Sequence, residues 1–233
     1  AIHGYFLRAS DTTAPIVYQV DRVRDGKSFS TRMVKAIQHG ETIFIMSASF
    51  AVMEEGLEHQ AEMPVVDGPD GILSETELRQ KVAPMIPEKI RDVFARERPI
   101  EIRPINPVNP FAPVKQEAKR FHWMRAQTRL PDDPFLHQCI LAFASDYALM
   151  GTAMLPHGVS FMQNNLQAAS IDHAMWFHRP FRMDEWLLYE MDAPNSASSR
   201  GLNRGLIYAQ DGRLVASTAQ EGLMRLREVP EKY

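Results

Sequence analysis

Hydrophobic and polar positions are spaced in two different ways along this chain. Over residues 1–53 they alternate: Pro15 to Val23, Phe29 to Gln38 and Thr42 to Met53 form three such runs, punctuated by Asp25-Gly26 and His39-Gly40. A period of two sends successive side chains to opposite faces, so this stretch predicts an antiparallel meander with tight turns. From Glu54 to about Val114 the period is lost, and nine of the sixteen prolines lie between Met63 and Pro113. Such a segment predicts a connector carrying short helices, one opened by the capping box Ser74-Glu-Thr-Glu77 and another over Pro87 to Glu97. Its packing is not readable from the pattern.

Beyond the connector, Lys119 to Thr128 predicts a strand, and Asp133 to Gly151 predicts a helix with an Asp cap, proline at its first position and glycine at its end. Apolar residues surround that helix on nearly every side, which predicts a rod enclosed in the core. His137, Gln138, Ser145 and Asp146 argue against a membrane span of the same length. Four further strands are expected at Leu166 to Arg179, Glu185 to Met191, Arg200 to Gln210 and Arg213 to Arg225, the last two joined by Asp211-Gly212. The expected division is therefore 1–53, a strand-only block; 54–114, the connector; and 115–233, one helix with a sheet curled around it.

The first and last strand blocks resemble each other. Tyr5-Phe-Leu-Arg matches Trp176-Phe-His-Arg and Ile16-Val-Tyr-Gln-Val matches Leu187-Leu-Tyr-Glu-Met, both 171 residues apart; Arg32, Gln38 and Gly40 match Arg204, Gln210 and Gly212 at 172. An internal repeat of three strands in one order predicts two copies of one unit. The helix equivalent to Asp133–Gly151 would then precede Ala1, so the chain is expected to begin inside its first repeat and to leave an apolar sheet face there.

Composition narrows the function classes. A formal charge of −3 with mixed signs offers no basic face, so neither nucleic acid nor a membrane surface is an expected partner. The single cysteine, Cys139, excludes an internal disulfide framework and a multi-cysteine zinc site; within the apolar helix it reads as a small core residue. Together with the absence of a secretory leader or a C-terminal address in Pro-Glu-Lys-Tyr, this predicts a cytoplasmic protein.

Three polar positions stand out by placement: Asp146 in the helix, Ser170 in the first downstream strand and Gln220 in the last. A carboxylate among apolar neighbours needs donors, and a hydroxyl and a primary amide from the sheet would supply them. Such a trio can also hold a water, with the carboxylate as general base. The plainer alternative has Asp146 facing solvent and the other two on outer faces. The first repeat offers no counterpart, because the position matching Gln220 falls at Ala48 or Ser49. Asp172-His173 and His178-Arg179 are weaker candidates, since neighbours on a strand point to opposite faces. Cys139 has no evident base.

The runs Ile171-Asp-His-Ala-Met-Trp-Phe-His-Arg-Pro-Phe, Asp184-Glu-Trp-Leu-Leu-Tyr and Leu214-Val-Ala-Ser-Thr-Ala-Gln-Glu-Gly-Leu-Met-Arg resemble the acyl-CoA thioesterase II family. Tyr5-Phe-Leu-Arg, Arg24-Asp-Gly-Lys-Ser-Phe, Ser47-Ala-Ser-Phe and Pro99-Ile-Glu-Ile-Arg-Pro are similar to it as well. The resemblance implies an α+β double hotdog, two antiparallel sheets each wrapped around a long helix, here lacking the upstream strand and first helix. It implies hydrolysis of acyl-CoA to free acid and coenzyme A with no metal or cofactor, a homo-oligomer, and a catalytic role for Asp146, Ser170 and Gln220. Two rivals stay open: a hotdog enoyl-CoA hydratase, which would want a histidine beside Asp146, and a non-catalytic acyl-CoA-binding or assembly subunit.

Overall fold

The computed structural model describes residues 1–86 and 88–227; Pro87, expected to open a connector helix, and the terminal Pro-Glu-Lys-Tyr lie outside the described residues. Alternation becomes strand where it was expected: β1 (Ile2–Phe6), β2 (Val17–Asp25), β3 (Phe29–Gln38) and β4 (Glu41–Ala51). The connector holds α1 (Glu75–Val82), closed at its N-terminus by reciprocal Ser74–Glu77 bonds, and α2 (Glu88–Ala95). After it come β5 (Ile100–Pro104), β6 (Lys119–Ala126), α3 (Pro134–Ala144), α4 (Asp146–Leu149), β7 (Leu166–Ser170), β8 (Asp172–Phe177), β9 (Leu187–Ala197), β10 (Arg200–Ala209) and β11 (Leu214–Leu226).

The two strand blocks join edge to edge in one 11-stranded sheet of order β2-β3-β4-β1-β8-β11-β10-β9-β6-β5, with β7 also paired to β11. The seam is the antiparallel pair β1–β8, running from Ile2 opposite Met175 to Tyr5 opposite Asp172. Read outward from the seam, β1-β4-β3-β2 and β8-β11-β10-β9 share one order, as the 171-residue spacing requires. His39 and Gly40 both have positive φ, 51° and 79°, the geometry of a two-residue hairpin turn. At Asp211-Gly212 only the glycine does, at 89°, because this loop closes through Ala209 and Arg213 and is longer.

Two predicted boundaries differ. Ile100-Glu-Ile-Arg-Pro, expected within the connector, pairs with β6 as the outermost strand, and its proline, Pro104, is tolerated because an edge strand needs only half its donors. The single strand expected over Leu166 to Arg179 divides at Ile171 into β7 and β8. On the sheet's outer side, Trp123, Trp186, Leu188, Tyr208 and Leu214 are covered by connector residues Met63, Val66 and Ile72. The connector backbone is tied there by Trp123 Nε1 donating to Asp67 O at 2.8 Å and Gln60 Nε2 donating to Gly212 O at 2.8 Å.

On the inner side, α3 lies against Ile102, Met124, Met175, Leu187, Met191, Ile207 and Val215. Asp133 caps it by accepting from the Phe135 and Leu136 amides. The expectation of an enclosed helix is corrected. His137, Leu141 and Ala144 are buried, but Phe135 and Phe143 are each 58% exposed and Cys139, expected in the core, is exposed with them. A helix laid on one sheet face meets it over part of its circumference, and spacing by four puts residues 135, 139 and 143 on the side turned away. The run Pro134–His157 is long and apolar enough to cross a membrane by length and composition, and 61% of its most apolar stretch is buried in this fold. Across the seam, Val17, Tyr18, Val20, Val23 and Phe29 are also exposed.

Gly205 leaves room for the Tyr189 and Thr218 side chains of the two flanking strands. A Cβ there would lie 2.2 Å from the Tyr189 ring and 2.6 Å from Thr218 Oγ1, both buried. Gly205→Ala is expected to cost about 1–3 kcal/mol, the range for overpacking a filled interior. A thermal melt should show a fall of roughly 3–10 °C; an unchanged midpoint would mean that the ring moves freely.

Candidate active site

The site forms where β11 changes partner. Residues Ala216–Ala219 pair with β8, whereas Gly222–Leu226 pair with β7, so Gln220 and Glu221 stand at the handover. Asp172 stabilises the break by accepting the Glu221 amide at 2.7 Å, and the Ile171 amide donates to Glu221 O at 2.9 Å. Alternation along β11 then turns Thr218, Gln220 and Gly222 inward, and along β8 it turns His173 and Met175 inward. The same break leaves Ser170 at the end of β7, facing the start of α4.

Above them, the helical run passes from α3 to α4 through Ser145, which places Asp146 in the first turn of α4. Ser145 is held from three sides. Its Oγ donates to Ala142 O at 2.9 Å and lies 2.8 Å from His173 Nε2, while its carbonyl accepts from Tyr189 OH at 3.1 Å. Tyr189, its proton thus committed, accepts in turn from Thr218 Oγ1 at 2.8 Å, and its burial pushes the phenol pKa well up.

The three residues singled out in the sequence come together on one oxygen. Asp146 Oδ1 accepts from Gln220 Nε2 at 2.5 Å and from Ser170 Oγ at 3.4 Å. Gln220 is fully buried, Ser170 half-buried, and Asp146 opens to solvent. The alternative that put Ser170 and Gln220 on outer faces is therefore not the arrangement found. The other end of the amide, Gln220 Oε1, is buried with no hydrogen-bond partner among the described residues.

One neighbour was missed. Strand parity makes His173 a weak candidate, because Asp172 and His173 point to opposite faces. They do, but the inward one of the pair has its Nδ1 3.2 Å from Gln220 Nε2. Its inward parity with Met175 was the available signal. Burial lowers the His173 pKa, and the charges of Asp146 and Asp172 oppose that shift only in part, so the ring is neutral near pH 7. His178 bonds Ser217 Oγ on the outer side at 2.8 Å and takes no part. Cys139 stands in neither the trio nor its contacts. An open groove of about 760 Å³ lined by Trp176, Glu190, Arg204 and Ser217 touches none of the trio.

Comparison with known proteins decides the family. A sequence-family model described as acyl-CoA thioesterase matches residues 89–223, and one described as acyl-CoA thioesterase N-terminal domain matches residues 1–51. The chain is 43% identical over 226 residues to acyl-CoA thioesterase 2 of Haemophilus influenzae, covering 97% of this chain and 79% of that protein. The chain belongs to the acyl-CoA thioesterase II family. Human acyl-coenzyme A thioesterase 8 is 42% identical over 240 residues, with 97% and 73% covered. The crystal structure of the acyl-CoA thioesterase II TesB2 from Mycobacterium marinum superposes with a TM-score of 0.78 at 41% identity, covering 97% of this chain and 80% of that one. A hot dog fold protein from Alicyclobacillus acidocaldarius, at 21% identity and a TM-score of 0.74, shares the fold. The α+β hotdog expected from the sequence is thus the fold of this acyl-CoA thioesterase family member.

Proposed function

We propose that Asp146, Ser170 and Gln220 activate a water for hydrolysis of the acyl-CoA thioester. As a member of the acyl-CoA thioesterase II family the chain is an acyl-CoA thioester hydrolase, and the observation that carries this mechanism is the meeting of a hydroxyl and an amide donor on one carboxylate oxygen. The two contacts aim the Asp146 carboxylate, and they leave the Gln220 Oε1 and Ser170 Oγ lone pairs to orient the water. The water oxygen attacks the thioester carbonyl carbon while its proton passes to the Asp146 carboxylate. The tetrahedral oxyanion then collapses, the C–S bond breaks, and the leaving thiolate takes the proton from Asp146, releasing free acid and coenzyme A. Every proton is returned, so no cofactor is required.

We divide the chain functionally at the connector 54–114, with the chemistry confined to residues 115–233. We read the protein as a cytoplasmic homo-oligomer; the exposed apolar residues Phe135 and Phe143 on α3 and Val17, Tyr18 and Val20 on β2 support association.

The test is release of free thiol across a ladder of acyl-CoA lengths, run beside hydration of an enoyl-CoA. Thiol release without hydration is expected; hydration, or tight binding without turnover, would favour one of the two rivals. Ser170→Ala should lower kcat about 10–1000-fold, the scale of one lost orienting contact. Ser170→Thr, which keeps the hydroxyl, should stay near the wild-type rate.

A further inference from the structure

An amide has two ends of nearly equal size, and only one of them suits Asp146. With Nε2 toward the carboxylate the contact is a charge-assisted donor; with Oε1 there, two acceptors would face each other at 2.5 Å. Ser170 does not decide between them, since it bonds Asp146 and not the amide. Besides Asp146 itself, the group that does is His173, whose Nδ1 lies 3.2 Å from the same Nε2.

The protons around that ring are fixed from its far side. Ser145 Oγ has one hydrogen, and it is donated to Ala142 O at 2.9 Å. Toward His173 Nε2, 2.8 Å away, the serine oxygen is therefore an acceptor, so Nε2 carries the ring proton. Nδ1 of the neutral ring is then a bare lone pair, able to receive an N–H from Gln220 and unable to receive its carbonyl. Donors thus run in one direction, from Gln220 through His173 and Ser145 to the Ala142 carbonyl. With both Nε2 hydrogens committed, to Asp146 and to His173, the buried Oε1 is the one end of the amide left free.

We propose that His173 is a positioning residue for the hydrolysis: its Nδ1 lone pair holds the Gln220 amide with Nε2 toward Asp146 and Oε1 free to accept from the attacking water. It touches neither substrate nor water and acts through Gln220 alone. The proposal rests on the reading of Asp146, Ser170 and Gln220 given above. Ser145 belongs to the device as the group that sets the ring's tautomer.

Two conservative substitutions separate the two sides of the ring. The Asn Oδ1 atom stands two bonds from Cβ, as Nδ1 does, so His173→Asn keeps an acceptor for Gln220 and loses Ser145. The Gln side-chain terminus stands three bonds from Cβ, as Nε2 does, so His173→Gln reaches Ser145 and leaves Gln220 without its acceptor. His173→Gln is expected to lower kcat about 10–100-fold, the effect of misplacing a catalytic contact, with KM within about twofold. His173→Asn should stay within about threefold of wild type.

The deciding measurement repeats His173→Gln in a Gln220→Leu background. If His173 works through the amide, the second substitution changes kcat no further. An equal loss in both backgrounds, or a loss in His173→Asn as large as in His173→Gln, overturns the proposal and makes His173 a packing residue. Should His173→Gln not fold, as judged by circular dichroism, His173→Asn in both backgrounds decides: retained kcat supports the role, and a tenfold loss overturns it. A Gln220→Leu enzyme as fast as wild type would overturn the reading of the trio itself, whereas a slow Gln220→Leu with an unaffected His173→Gln would remove His173 only.

Discussion

Asp146→Asn is expected to lower kcat for thioester hydrolysis by about 10²–10⁴-fold, the range attributed to a positioned general base. Asparagine has the size of aspartate and still offers an oxygen to Gln220 Nε2 and Ser170 Oγ, so the contacts that now converge on Oδ1 persist in form. What it lacks is the ability to take a proton from water at neutral pH. The loss should therefore fall on kcat, with KM close to wild type, because an interaction made only in the transition state has been removed. The exposed position of Asp146 at the start of a short helix makes the thermal midpoint a sound control, expected to shift by only a few degrees. Thiol release by Asp146→Asn at a near-wild-type rate would reject Asp146 as the base.

Gln220→Leu carries the second largest expected effect, a loss in kcat of about 10²–10³-fold, comparable to removing one preorganised polar contact. Leucine replaces the amide with a side chain of similar size in a position that is fully buried, so the cavity stays filled. Two things go at once: the 2.5 Å donor that aims Asp146 and the free Oε1 acceptor. Ser170 would be left as the single side-chain donor on the carboxylate among the described residues, at 3.4 Å. The effect should exceed that of Ser170→Ala, because Ser170 is half-buried and water can replace its hydroxyl, whereas nothing replaces a buried amide. The reverse order, with Ser170→Ala the slower enzyme, would shift the water-orienting role to the hydroxyl.

Much of this site could be read before any coordinates, and the reasons are specific. Ser170 and Gln220 stood in strands whose alternation was visible, and Asp146 stood out as a carboxylate in an oily helix. His173 was not legible because strand parity gives its face and says nothing of its neighbours: Ser145 is 28 residues away and Gln220 47. The helix differs from the enclosed rod that its composition predicts for a related reason. An apolar residue states a preference for burial, but Phe135, Cys139 and Phe143 could satisfy it only if something lay over them, and the described residues place nothing there.

What the amino-acid order determined by itself is local and periodic: strands from a period of two, the Asp133 and Ser74 caps, the positive-φ turns at Gly40 and Gly212, and a duplicated strand order spaced by 171 residues. Only the tertiary structure decided that the two strand blocks fuse at β1–β8, that the connector lies over Trp123 and Tyr208, and that β11 changes partner beside Gln220. The physical reason is that hydrogen-bonding period and capping are settled within a few residues. Strand partners and the meeting of Gln220 with Asp146, 74 positions apart, depend on the free energy of the whole packed sheet, in which many pairings satisfy the same local pattern.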